Sequence, residues 1–214
     1  MSEYEYEPVP GLPERLPPGE VLLWQGVPRW QSMARHAFQA RKVALYFIAL
    51  MVLLLVWNLH SGKPVVTALG GVVWLAMLGA FAVGLLALLA WLMSRATLYT
   101  ITSRRVVMRI GVAIQICINI PFAQVANAGL RRYADGSGDL PLTLSGPVRA
   151  SYIVLWPHAR PWHFSPPQPM LRAVPQAAQV AELLATALKD ARGGAAEPAA
   201  APDHASPVAP PTGA

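Results

Sequence analysis

Hydrophobic and polar positions follow three different rhythms along this chain. Val43 to Trp57 carries no charge over 15 residues, and Asn58-Leu59 extends the run; Val65 to Met93 carries none over 29. A helix rises about 1.5 Å per residue, so roughly 20 residues cross a hydrocarbon core of about 30 Å. The second run exceeds that and spans with tilt. The first, residues 43–59, reaches because Arg41 and Lys42 snorkel at one end and Trp57 suits the interface at the other. Residues 60–64 between them hold Gly62 and Pro64, both helix breakers, and form a turn. The pattern predicts a transmembrane α-helical hairpin, with helices over 43–59 and 65–93.

Beyond residue 97 the period changes to two. Strands are predicted at Thr97–Thr102, Arg105–Ile110, Ile114–Ile120, Val125–Arg131, Leu140–Leu144 and Tyr152–Trp156, with a strong turn signal at Asp135–Asp139. Ile110 to Ala126 is apolar enough to mimic a third span. Its isoleucines at 114, 116, 118 and 120 alternate with Gln115, Cys117 and Asn119, which is strand periodicity, and Pro121 interrupts it. Cys117, alternating with them and lacking a His or acid partner, reads as a buried or half-buried thiol rather than a nucleophile.

The third rhythm is helical. Val180, Leu183, Leu184 and Leu188 recur on one face of Pro175–Ala191, an amphipathic helix. Before the hairpin, residues 1–20 form an acidic, Pro-rich flexible arm, and residues 21–42 a short strand, a turn and an amphipathic lead-in. Residues 192–214 are an Ala/Pro tail predicted to be disordered. The fold class is therefore a transmembrane hairpin plus an all-β barrel or sandwich over 97–191, capped by a C-terminal α-helix.

The chain has 214 residues, 54% of them apolar, and a net charge of +6. The charge invites a nucleic-acid reading, but eight of the 17 basic residues flank the two apolar runs. Arg29, Arg35, Arg41 and Lys42 precede the first; Arg95, Arg104, Arg105 and Arg109 follow the second; the linker holds Lys63. The positive-inside rule then sets both termini in the cytoplasm of a multi-pass inner-membrane protein. Arg35, Arg41, Lys42, Arg95, Arg104 and Arg105 become membrane-surface candidates, facing anionic headgroups or acting through topology alone. Arg131-Arg132 is too small a cluster for nucleic acid.

Candidate chemistry is sparse. No charge lies inside either apolar run, which excludes the usual transporter or proton relay. One cysteine excludes an intramolecular disulfide framework. His158 and His163 are spaced too loosely for a zinc pair and lack an acid. His60 reads as an interfacial loop residue. No nucleophile, base or metal set can be assembled, so neither an enzyme nor a cofactor is expected. Two interaction features remain. Ala76, Ala80 and Gly84 recur every fourth residue and allow close helix approach, either to the chain's own first span or to a second copy or client helix. Trp156, His158, Arg160 and Trp162 lie in a Pro- and Trp-rich stretch that reads as a rigid docking loop or as barrel-edge packing.

Glu20-Val-Leu-Leu-Trp-Gln-Gly-Val-Pro-Arg-Trp30, the hairpin, Tyr99-Thr-Ile-Thr-Ser-Arg-Arg-Val-Val and Ile120-Pro-Phe together resemble the bacterial PH-like membrane proteins. Pro8-Val-Pro-Gly-Leu-Pro13, Gly138-Asp-Leu-Pro-Leu-Thr-Leu-Ser-Gly146 and Leu155-Trp-Pro-His-Ala-Arg-Pro-Trp162 are similar to the photosynthetic-complex assembly proteins of PuhB type in purple bacteria. The resemblance covers about residues 7–190. It implies a PH-like barrel with a capping helix and a non-enzymatic factor, homodimeric, that assists assembly of the reaction centre and core antenna. Reaction-centre subunits, core antenna intermediates and membrane lipids would be its partners. The alternative is a general PH-like membrane interaction module unrelated to photosynthesis.

Overall fold

The computed structural model describes residues 16–146 and 151–194. Most of the expected N-terminal arm and nearly all of the Ala/Pro tail lie outside them. Strand β1 (Leu22–Gly26) leads through Pro28 into helix α1 (Trp30–His36). Gln39, at φ 56°, then turns the chain sharply into α2 (Ala40–His60), its side-chain amide donating to the His36 carbonyl at 3.1 Å. Helix α3 (Val65–Ala96) returns antiparallel to α2. Both are long and apolar enough to cross a membrane. They pack along one face, and the rest of their surface points outward: Leu53, Val66, Trp74 and Phe81 are exposed, an apolar exterior suited to a lipid phase.

Helix α3 has 32 residues against 21 in α2, so about three turns of α3 extend past the start of α2. Helix α1 covers that extension. Met33, Ala34 and Phe38 pack against Ala90, Leu86 and Met93 in a small core of their own, and Ser94 Oγ donates to the Pro28 carbonyl at 2.9 Å.

The barrel follows at once. Strands β2 (Leu98–Thr102), β3 (Arg105–Ile110) and β4 (Ile116–Pro121) join β1 in one antiparallel sheet, ordered β1-β2-β3-β4. The tight β2–β3 turn is held by Thr102, whose hydroxyl accepts the backbone N–H groups of Arg104 and Arg105 at 3.2 and 3.1 Å. Strand β5 (Val125–Ala128), the short β6 (Arg131–Arg132), β7 (Gly138–Leu144), β8 (Ala159–Phe164) and β9 (Pro167–Val174) build a second sheet, ordered β5-β7-β9-β8 with β6 on β7. Residues 110–126 are thus strand and turn rather than a third span. Tyr99, Ile101, Met108 and Ile120 of the first sheet face Leu140, Leu142, Leu171 and Val174 of the second. Helix α5 (Ala177–Gly194) closes the barrel with Val180, Leu184 and Leu188. Arg192 fastens its end by donating to the Val125 and Ala126 carbonyls at 2.8 and 2.9 Å.

Three expectations change. Tyr152–Leu155 is a single helical turn, α4, and not a strand; the Ser151 side chain accepts the Val154 N–H at 3.4 Å and starts it. Residues 159–174, with no strand expected, form the β8–β9 hairpin. Cys117 is exposed, because β4 is an edge strand whose inward face belongs to Ile116, Ile118 and Ile120.

Candidate functional site

Helix α4 and strand β8 together carry an outward apolar surface. Ile153 and Trp162 are each 85% exposed, Phe164 60% and Trp156 51%. The rings are mutually ordered. Trp162 meets Phe164 edge-on at 6.4 Å, Tyr152 lies against Phe164 at 4.7 Å, and Trp156 meets Phe38 edge-on at 5.7 Å. Contiguous exposed aromatics of this kind mark interaction surfaces. Phe38 sits at the corner between α1 and α2, so the patch starts beside the hairpin and runs out along the barrel edge. Trp156 and Trp162 were legible in the sequence. Ile153 was missed because a strand over 152–156 gives no sign of what the α4 turn exposes. Phe164 was missed because its strand was not recognised, although Ser165-Pro166 beside it is a turn signal.

His158 does not belong to that surface, which corrects the expectation. It is fully buried among Thr97, Tyr99 and Arg172. The Arg172 backbone N–H donates to the Tyr99 hydroxyl at 3.0 Å. That hydroxyl lies 2.6 Å from His158 Nδ1 and Thr97 Oγ1 lies 3.2 Å from His158 Nε2. A hydroxyl already accepting from Arg172 gives its own proton to Nδ1, which fixes the Nε2–H tautomer and directs that N–H at Thr97. Burial, with some repulsion from Arg172, pushes the imidazole down to about 3. Burial also raises the Tyr99 phenol. The cluster is a neutral hydrogen-bonded pin between the α3–β2 junction and β8–β9. Arg160, half-buried, donates to Gln168 Oε1 at 2.9 Å across the hairpin.

The basic candidates separate. Arg35, Arg41 and Lys42 gather at the α1–α2 corner around one cavity. Arg95 lies 4.8 Å over the Trp91 ring near the end of α3. Arg104 is exposed in the β2–β3 turn, a strand's length from the α3–β2 junction. Arg105 is committed elsewhere: its guanidinium grips Glu20 bidentately at 2.7 and 2.9 Å. Burial pushes the Glu20 carboxyl up, but the Arg105 and Thr102 hydrogen bonds and the charges of Arg105 and Arg104 outweigh it, so the group ends below its usual range. Proximity in sequence to the second span had suggested a headgroup role for Arg105; the ion pair replaces it.

On α3, the face turned to α2 is not the expected one. Gly79 is buried against Phe47, where a Cβ would come within 2.8 Å of the ring, and Gly71 packs on Leu54. Ala76 is half-buried, while Ala80 and Gly84 are exposed, with nothing within 4 Å of a Cβ built on Gly84. The Ala80–Gly84 ridge therefore faces away from the chain's own first helix.

Two apolar helices carrying a two-sheet barrel closed by a helix, with an aromatic edge beside the hairpin, define a membrane-associated protein of PH-like architecture. The chain belongs to the bacterial PH domain family, whose model matches residues 38–188 and so includes the hairpin. It is 42% identical over 188 residues to an uncharacterised 23.7 kDa protein in the puhA 5′ region of Rhodobacter capsulatus, covering 86% of this chain and 87% of that one. No solved structure matches.

Proposed function

We propose that this protein is a non-enzymatic, membrane-anchored assembly factor of PuhB type for the photosynthetic reaction centre and its core antenna. It acts by transient docking, as a multi-pass inner-membrane protein with both termini in the cytoplasm. The observation that carries the docking mode is the aromatic edge of Ile153, Trp156, Trp162 and Phe164, continuous with the hairpin through Phe38. A client that is itself a membrane complex presents apolar surface at that level. The identity of the client is supported by the relative in the puhA 5′ region, a photosynthesis-operon context.

Co-purification from native membranes tests this. Reaction-centre or core antenna subunits are expected with the full-length chain. The doubly substituted Ile153→Ser, Trp162→Ala chain, altered only at exposed positions, should lose most of them while remaining in the membrane. Deletion should lower complex levels without abolishing pigment synthesis. Normal complex levels in the deletion strain would refute the proposal and favour a general PH-like membrane module.

A further inference from the structure

Between the α1–α2 corner and the turn after β6 lies a cavity of about 420 Å³, a volume in the usual range for small-molecule sites. Arg35, Arg41 and Lys42 line it from the lead-in helices, and Arg131 lines it from the barrel. One wall is a flat stack: His36 and Tyr133 lie 3.6 Å apart with planes 2° from parallel. One acid, Asp135, also lines the cavity, and Asp139 lies behind Tyr133. Asp135 accepts the Ser137 N–H and hydroxyl at 3.1 and 2.6 Å, and Asp139 accepts the Tyr133 hydroxyl at 2.5 Å. Among the described residues, none of the four cations forms an ion pair.

Four exposed cations from two parts of the fold line one concave space against a single lining carboxylate, Asp135, and this excess of positive charge attracts an anion. The position of the cavity identifies its source. Lys42 is followed immediately by the uncharged run starting at Val43, so the cavity opens at the level of the lipid headgroups.

We propose that this cavity holds the phosphate of an anionic phospholipid, bridging Arg131 of the barrel to Arg41 and Lys42 at the start of α2. The lipid fixes the barrel against the bilayer, whichever client the aromatic edge receives.

The full-length chain, reconstituted in phosphatidylcholine nanodiscs with or without phosphatidylglycerol, gives the test by native mass spectrometry of lipid retained after extraction. The wild-type chain should retain phosphatidylglycerol selectively. Arg131→Ala and, independently, Lys42→Gln should each lower that retention by about fivefold. Arg104→Ala, which removes an exposed cation elsewhere, should leave it unchanged. Either of the first two variants decides the matter if the other fails to fold. Equal losses with Arg104→Ala would mean diffuse surface attraction and overturn the proposal. So would millimolar glycerophosphate displacing the lipid completely, since the cavity would then be a site for a soluble phosphate.

Discussion

His158 shows what one side chain's surroundings do to its chemistry. In an unfolded chain its imidazole titrates near 6.5; in the fold it is held near 3 by burial. Between those values the unfolded chain takes up a proton that the folded chain refuses. Stability is therefore complete above about pH 6.5 and falls by about 1.4 kcal/mol per pH unit below it, levelling near 3. His36, also lowered, chiefly by burial, adds a slope of the same sign, so the comparison with a His158 variant isolates this residue. Thermal unfolding of His158→Ala in detergent should show a loss of about 2–4 kcal/mol at pH 7, from the orphaned Tyr99 hydroxyl and the cavity. The variant should also have a shallower pH dependence between 6.5 and 4 than wild type. An unchanged slope would place the proton uptake elsewhere. The Trp156–Trp162 stretch was recognisable in the sequence as a rigid Pro- and Trp-rich segment. Which of its members turned inward was not, because His158 is buried through partners about 60 residues away in the chain.

Among the elements, α3 separates two roles on one helix. Gly71 and Gly79 admit the side chains of Leu54 and Phe47 and set the closeness of the hairpin. Gly79→Leu should therefore splay the hairpin and lower the yield of folded protein. Ala80→Leu and Gly84→Leu fill only outward space; they should leave yield and unfolding temperature unchanged and weaken crosslinking to a second copy or a client helix. If Gly84→Leu lowers stability as much as Gly79→Leu, the ridge is an internal packing face after all. Small residues four apart were legible as a ridge. Its direction was not, because two neighbouring faces of α3 (Gly71/Gly79 and Ala76/Ala80/Gly84) both carry small residues, and only the rotation of α3 about its axis selects between them. The β8–β9 hairpin was illegible for a related reason: Pro161, Pro166, Pro167 and Pro169 hide it from strand propensity, and its inward positions are defined by pairing with β7 through β9.

At the scale of the whole molecule, α1 determines how the barrel stands on the hairpin. It lies between the free end of α3 and the second sheet, and its contacts reach both. The Arg29 N–H donates to the Ala173 carbonyl at 2.8 Å, Ser32 Oγ sits 2.6 Å from Ser137 Oγ in a buried pair, and His36 stacks on Tyr133. The aromatic edge and the basic cavity thus keep fixed heights relative to the membrane. The proposed orientation can be read from Cys117, the single cysteine, exposed on the barrel's edge strand. A membrane-impermeant maleimide should leave it unlabelled in intact spheroplasts and label it after permeabilisation. Labelling in intact spheroplasts would invert the topology and remove the docking edge from the cytoplasm.

The sequence by itself determined the hairpin, the strand-rich domain and its capping helix. Each of these depends on periodicity or on an uninterrupted apolar run, properties carried within a single segment. The tertiary structure decided what those segments face. It buried His158, turned Cys117 outward, tied Arg105 to Glu20 and brought Arg131 to Arg41 and Lys42. Such outcomes depend on the rotation and register of elements distant in the chain, which no local pattern encodes.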